Sequence, residues 1–315
     1  MFSKLRGSRW LVAWAALVVV YFMWGSTFTA IQVAVRGVPP FLMAGSRFLV
    51  AGVILYLVAG RTAPGHHRPS LREVRSAAVV GALLLLGANG LVSWAELRVP
   101  SGMAALMIAT VPLWMAILAV VLNRAAGPGL LGWAGVAVGL AGVAVLAGPG
   151  SGGRLQPVFA AALLLSSLLC AAGSLYSRTA PLPRSLLQAS ALEMLAGGVG
   201  LVALGAATGE LHQFHIQQVG PATVLAFGWL VVGVSLLGYS CYVFALASLP
   251  TTTVATYAYV NPLVAIVLGW VVLGQGLTLG TVAAAAMITV GVVLMVSGPA
   301  LARRRRPAQA LAEGA

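Results

Sequence analysis

Apolar residues fill ten stretches of about twenty positions, and polar residues fall mostly in the short intervals between them. An α-helix of roughly 20 apolar residues crosses a hydrocarbon core about 30 Å thick, so each stretch predicts a membrane span. The ten run Leu11–Val35, Phe41–Gly60, Ala77–Glu96, Ser101–Leu122, Leu130–Ala147, Pro157–Ser177, Leu186–Gly209, Thr223–Ala247, Thr252–Gly274 and Leu277–Ser297. The expected fold is an all-α integral membrane protein with ten transmembrane helices.

Local motifs recur between the two halves. Val99-Pro100-Ser101 returns as Leu249-Pro250-Thr251, and Thr110-Val111-Pro112 as Val260-Asn261-Pro262, both 150 positions later. Gly25-Ser26 is matched by Gly173-Ser174, and Ala51-Gly52-Val53 by Gly197-Gly198-Val199. Residues 1–150 therefore read as a first repeat (spans 1–5) and residues 151–300 as a second (spans 6–10), with a short, disordered basic tail at 301–315. Because five is odd, the second repeat enters from the opposite side, which gives two inverted repeats about an axis in the membrane plane.

Composition agrees with the pattern. Hydrophobic residues make up 60% and charged residues 7%, against roughly 25% charged in soluble domains, and the mean hydropathy is +1.01. The formal charge of +13 invites a nucleic-acid reading, but its placement favours topology. With the N-terminus cytoplasmic, the inner segments carry Lys4, Arg6, Arg9, Arg61, Arg68, Arg72, Arg75, Arg124, Arg178, Arg184 and Arg303 to Arg306, fourteen of eighteen basic residues. That bias puts both termini in the cytoplasm and makes the basic tail a lipid-headgroup anchor; no nucleic-acid partner is expected. Glu210 then faces the other side. The first span is longer than a signal-peptide core and lacks a small-residue cleavage site, so it reads as retained.

Little chain remains for chemistry outside the bilayer. No phosphate-binding glycine loop with its lysine is present, and His66, His67, His212 and His215 all fall in loops without cysteine or aspartate nearby. No metal, cofactor or catalytic residue is expected. Cys170 and Cys241 lie inside spans and read as buried thiols.

Polar residues within spans are the functional candidates, since they are costly against lipid and turn toward the bundle interior. Thr253, Tyr257 and Asn261 share a helix face, as do Asn89, Ser93 and Glu96, then Ser235, Tyr239 and Tyr242, and on the sixth span Ser167, Cys170, Ser174 and Ser177. Asn261 precedes Pro262 near the middle of its span, where proline removes a helix hydrogen bond; Pro112 does the same in the first repeat. Paired broken helices point to a transport site, or both prolines kink helices for packing. The substrate-binding candidates are Trp24, Ser26, Asn89, Ser174, Tyr239, Tyr242, Tyr257 and Asn261. Their aromatic members either line a cavity or pack the bundle, and Asn261 either binds solute or joins helices.

Arg47 and Glu193 hold equivalent repeat positions and are the gate candidates, although their depths differ by roughly 10 Å at 1.5 Å rise per residue. Glu193 and Glu96 are the acidic residues placed near the bilayer, and either offers a carboxylate for proton coupling. Gly135 and Gly139, with Ala196 and Gly200, allow close helix approach within a monomer or between monomers, so no oligomer is inferred.

Trp24-Gly25-Ser26-Thr27-Phe28, Pro39-Pro40, Arg47-Phe48, Pro100-Ser101 and Pro112, followed by Gly173-Ser174, Leu249-Pro250 and Asn261-Pro262, resemble the EamA family of the drug/metabolite transporter superfamily. The resemblance implies a carrier of a bacterial-type inner membrane whose cavity is lined by spans 1, 3, 4, 6, 8 and 9. It further implies export of amino acids or related metabolites by alternating access. Cys170 stands where many relatives have a tryptophan. A passive facilitator or channel for small solutes is the alternative. An intramembrane enzyme would need acid-base groups, and the spans contain neither aspartate nor histidine.

Overall fold

The computed structural model describes residues 2–62, 68–122, 129–147, 156–249, 251–254 and 256–312, and these contain helices and turns but no strand. Pro250, Arg124, Arg154, His66 and His67 lie outside the described residues. Eight helical segments are long and apolar enough to cross a membrane: Trp10–Ala34, Pro40–Arg61, Leu71–Ala95, Ser101–Val121, Gly129–Leu146, Pro157–Ser177, Leu186–Ala207 and Pro221–Ser248. Two shorter apolar helices follow, Val260–Leu273 and Leu279–Met295. These ten are called the first to tenth segments.

Several segments are interrupted. The first consists of α1 (Phe2–Gly25) and α2 (Thr27–Ala34), and the second is α3 (Pro40–Thr62). The third is α4 (Leu71–Gly81), a π-helical stretch over Ala82–Asn89, and α5 (Gly90–Ala95). The fourth is broken between α6 (Ser101–Ile108) and α7 (Val111–Val121). The fifth, sixth and seventh are α8 (Gly129–Ala147), α9 (Pro157–Ser177) and α10 (Leu186–Ala207), after which comes one turn, α11 (Glu210–Gln213). The eighth is α12 (Pro221–Gly228), a second π-helical stretch over Trp229–Gly238, and α13 (Tyr239–Ser248). The ninth region contains α14 (Thr251–Val254) and α15 (Tyr257–Leu273), and the tenth is α16 (Leu279–Ala312), whose backbone is helical to Ala312, inside the tail expected to be disordered.

The third segment starts six residues earlier than its hydropathy predicts. Ser70 Oγ accepts from the Glu73 amide at 3.3 Å, and the Glu73 carboxylate accepts from the Ser70 amide at 2.7 Å. This capping box satisfies two amides that an uncapped helix would leave open. A similar need is met at long range in the second segment. Glu210, only 5% exposed, accepts from the backbone N–H groups of Phe41 (3.2 Å) and Leu42 (2.9 Å) in the first turn of α3. Its carboxylate thus caps a helix N-terminus, so Glu210 is buried structure and not a free loop charge.

Water exclusion does not drive helices together within lipid, so close approach of backbones has to supply packing. The second segment crosses the seventh where a Cβ on Gly45 would lie 3.0 Å from the Gly198 carbonyl, and one on Gly198 3.0 Å from the Leu49 amide. The fifth meets the tenth where a Cβ on Gly135 would come within 2.5 Å of the Gly291 carbonyl. Gly135 and Gly139 are therefore occupied by packing inside the chain. The first segment packs on the eighth and ninth, the sixth on the third and fourth, and the fourth on the ninth. Each of these pairs maps onto another pair, or onto itself, when every segment is exchanged for the one five places along.

Candidate functional site

A cavity of about 650 Å³ lies among the first, fourth, sixth, eighth, ninth and tenth segments, within the range of small-molecule sites. Phe28, Ala105, Ile108, Val111, Pro112, Met115, Ala119, Cys170, Ser174, Ser177, Arg178, Tyr242, Leu246, Tyr257, Ala258, Asn261, Pro262 and Met295 are among its lining residues. The wall reaches the exposed Arg178 at one end and stops at Ala105, one helical turn short of Ser101, at the other.

Two prolines lie beside its middle, although α15 continues through Pro262 where an interruption was expected. Pro112 and Pro262 have no N–H to return to the carbonyls of Ile108 and Ala258, four residues earlier. All four line the cavity, as do Val111 and Asn261, so three positions separated by 150 occur in pairs on its wall. The fourth-segment break falls at Ala109–Thr110, ahead of Pro112, which then sits in the first turn of α7. The Met107 carbonyl beside this break is not left for solute. It accepts from Thr110 Oγ1 at 2.6 Å and from Ser167 Oγ at 3.0 Å.

Asn261 has two relationships at once. In the amide orientation that suits its neighbours, its nitrogen donates to the Tyr257 carbonyl (3.1 Å) and across to the Tyr21 carbonyl (3.3 Å). Gly25 permits this crossing, because a Cβ there would lie 2.6 Å from Val264 Cβ and 3.0 Å from the Asn261 carbonyl. With its nitrogen engaged, the polar atom left to this cavity-lining residue is its acceptor oxygen.

Aromatic rings stack beside it. Trp24 packs against Tyr242 at 4.8 Å and edge-on against Tyr257 at 5.0 Å between centroids, and Tyr242 meets Tyr257 at 5.8 Å. Tyr242 and Tyr257 line the cavity while Trp24 stands behind them. Arg178 supplies positive charge at the mouth and acts electrostatically on Tyr242.

Of the sequence candidates, Ser174, Tyr242, Tyr257 and Asn261 reach the wall, with Pro112 and Pro262. Ser26, Asn89 and Tyr239 lie off it, like Trp24. Ser26 Oγ is used internally: it donates to the Met23 carbonyl and accepts from Trp229 Nε1, both at 2.9 Å. Tyr239 is hydrogen-bonded to Ser190 and to the Leu186 carbonyl. Asn89 ends the first π-helical stretch, and its buried oxygen has no partner. The third segment, expected on the wall, is absent from it, whereas Met295 of the tenth is present.

The gate candidates do not meet as a pair. Arg47 is buried and its Nε donates to Ser235 Oγ at 3.0 Å, and the acidic group it feels is Glu96. Glu193 lies on the seventh segment, where it influences Tyr239. Sequence reasoning missed Arg178 as a wall residue because it counted only as a topology charge. It also missed a closed cluster beyond the cavity. There Gln275 Nε2 donates to Gln32 Oε1 (2.5 Å), Ser101 Oγ to Gln275 Oε1 (3.1 Å), the Ser101 amide to Gln32 Oε1 (3.1 Å), and Gln32 Nε2 to the Val99 carbonyl (3.1 Å). Gly274, at φ +64°, ends α15 with paired bonds from Gly274 N to the Trp270 carbonyl and from Gln275 N to the Gly269 carbonyl, both at 3.1 Å, and so aims Gln275 into the cluster.

An apolar helical bundle around a solute-sized, partly polar cavity is an arrangement that suits a membrane transporter. The EamA-like transporter family model matches residues 10–148 and again residues 158–297. The chain belongs to this EamA-like family. It is 37% identical over 299 residues to the uncharacterized inner membrane transporter YedA of Escherichia coli, covering 93% of this chain and 94% of that protein. It is 30% identical to a probable terminal-alkyne amino-acid exporter of Streptantibioticus cattleyicolor, covering 86% and 87%, and 28% identical to the uncharacterized transporter YvbV of Bacillus subtilis, covering 93% of each. These relatives are transporters rather than enzymes. A solved crystal structure aligns over 95% of this chain and 98% of its own with a TM-score of 0.53 at 21% identity, a likeness of fold alone.

Proposed function

We propose that the chain is an alternating-access exporter of amino acids or related small amphipathic metabolites in a bacterial inner membrane. It has ten spans in two inverted repeats, 1–150 and 151–300, and both termini are cytoplasmic. The observation that carries this reading is the asymmetry of the cavity: one end reaches exposed Arg178, and the other stops short of the Gln32–Ser101–Gln275 cluster. With the basic segments on the cytoplasmic side, the open end faces the cytoplasm, the inward-facing state of an alternating-access carrier, and the outward direction is taken from the amino-acid exporter relative.

The lining supports the solute class. The acceptor oxygen of Asn261 suits an ammonium or hydroxyl donor, Arg178 suits a carboxylate, and the apolar wall with Tyr242 and Tyr257 suits the remaining carbon skeleton. The printed name of the Streptantibioticus relative, an amino-acid exporter, lies in the same class.

Counterflow in proteoliposomes tests the proposal. Vesicles preloaded with an unlabelled amino acid should take up the labelled one faster than empty vesicles, and uptake should saturate. Arg178→Gln should raise the half-saturation concentration about two- to fivefold, as expected for an exposed charge worth ~0.4–1 kcal/mol. Flux across the amino-acid panel that neither saturates nor responds to preloading would mean a passive facilitator.

A further inference from the structure

Away from the cavity, a second set of polar groups is enclosed where the second, third and eighth segments meet. Arg47, Glu96 and Ser235 are at most 3% exposed. Arg47 Nε donates to Ser235 Oγ at 3.0 Å, and its guanidinium carbon lies 4.7 Å from the Phe48 ring centroid. Guanidinium and Glu96 carboxyl interact electrostatically. Arg47 Nη1 and both carboxyl oxygens of Glu96 nevertheless have no hydrogen-bond partner, and neither has the buried Ser93 Oγ one turn earlier. A buried carboxylate whose only role was to support the fold would be expected to be paired and hydrogen-bonded, as Glu210 is. Glu96 has an opposite charge nearby but no direct bond to it.

We infer that Glu96 is an exchangeable proton-binding site, with Arg47 as its fixed counter-charge, and that its protonation couples solute movement to a proton gradient. The inference rests on the carrier reading above. The step is an acid-base exchange without electron transfer. A proton from one aqueous phase forms an O–H bond at the Glu96 carboxylate, and that bond breaks to release the proton into the other phase. Arg47 remains a guanidinium throughout, so the site alternates between no net charge and a single positive charge. Among the elements packed on α5, α3 presents Arg47, the adjoining π-helical stretch has no ionisable residue, and α9 carries Cys170 and Tyr176 in its second half.

The position of Glu96 ties this charge to the closed end of the cavity. Glu96 follows directly on α5, and the next turn is anchored to that helix by Arg98 N and Val99 N, which donate to the Ala95 carbonyl at 3.0 and 2.9 Å. The Val99 carbonyl and the Ser101 amide of this turn are the groups held by Gln32. With Glu96 charged, its attraction to Arg47 holds the second segment against the turn; protonation removes that attraction.

Glu96→Gln in proteoliposomes tests the site with the whole protein. Wild-type vesicles should accumulate labelled amino acid above equilibrium when a pH gradient is imposed. The variant should lose at least tenfold of that accumulation but keep counterflow, which needs no net proton movement. Wild-type counterflow without any response to the gradient would overturn proton coupling and leave the carrier reading standing, whereas absence of counterflow would overturn both. A Glu96→Gln protein that accumulates solute like the wild type would overturn the site. If this variant does not reach the membrane, wild-type protein treated with the apolar reagent dicyclohexylcarbodiimide answers the question, because the reagent modifies protonated carboxyls. Peptide mapping should show modification at Glu96 that rises as pH falls, and its absence overturns the inference.

Discussion

Gln275 donates through Nε2 to Gln32 Oε1 at 2.5 Å, joining the ninth and first segments across 243 positions of sequence. Gln32 in turn holds the turn between the third and fourth segments, so a few amide bonds tie three parts of the bundle at one end of the cavity. Space for this cluster comes from Gly269, where a Cβ would lie 2.5 Å from Gln275 Oε1 and 2.9 Å from Ser101 Oγ.

Gln275→Leu should loosen that end. Each hydrogen bond lost contributes about 0.5–1.5 kcal/mol, so a two-state opening equilibrium should shift roughly two- to twelvefold per bond toward the form open at the cluster. A cysteine at Ile108, in a background lacking Cys170 and Cys241, should label faster from the cluster side in the Gln275→Leu protein. Unchanged labelling would mean that the cluster does not hold the cavity shut.

Asn261→Leu removes an acceptor from the cavity wall and two amide donations, to Tyr257 and Tyr21. Solute affinity should fall about twofold to over a hundredfold, covering neutral and charged solute groups. Val111→Leu, at the equivalent repeat position, changes no polar group and should have a smaller effect. If Asn261→Leu protein is abundant in the membrane and binds amino acid as tightly as wild type, the residue joins helices and does not select solute.

Gly81→Ala should be destabilising, because the new Cβ would collide with the backbone carbonyl of Glu193 where α4 meets α10. Forced overpacking costs about 1–3 kcal/mol. Gly228→Ala is the control: its Cβ has nothing within 4 Å and its φ is −57°, so alanine there should be neutral or slightly stabilising. Thermal unfolding in detergent separates the two, and equal Tm values would contradict the close helix contact.

Single cysteines at positions 68 and 212 test topology. Residue 68 should be labelled from the cytoplasmic side and residue 212 from the opposite side. Labelling of both from one side would rule out the odd-numbered repeat arrangement.

The candidate site was only partly legible in sequence, for a reason visible in two helices. Shared faces were read with the α-helical period of 3.6, but the third and eighth segments contain π-helical stretches at Ala82–Asn89 and Trp229–Gly238. Wider i to i+5 turns shift every later residue around the axis. Ser235 lies within the second stretch and meets Arg47, apart from Tyr239 and Tyr242, which follow it together on α13; there Tyr239 meets Ser190 and Tyr242 alone reaches the cavity. The glycines that flank these stretches were the available signal, but glycine is too common in apolar helices to announce a π turn.

Apolar run length alone determined that this chain is a helical membrane protein, because a backbone in lipid must satisfy its hydrogen bonds within helices or closed barrels. Local chemistry likewise showed that Pro112 and Pro262 each lack the N–H of a helix bond, but α15 runs on through Pro262 and the fourth-segment break falls ahead of Pro112, in whose helix proline takes a first-turn position. Tertiary structure decided which polar groups meet. It put Arg47 within electrostatic reach of Glu96 rather than Glu193, closed Glu210 over the amides of Phe41 and Leu42, and brought Gln32 to Gln275. Those pairings depend on helix depth, rotation and crossing, which are settled by side-chain and backbone contacts between segments far apart in the chain, and a one-dimensional pattern does not contain them.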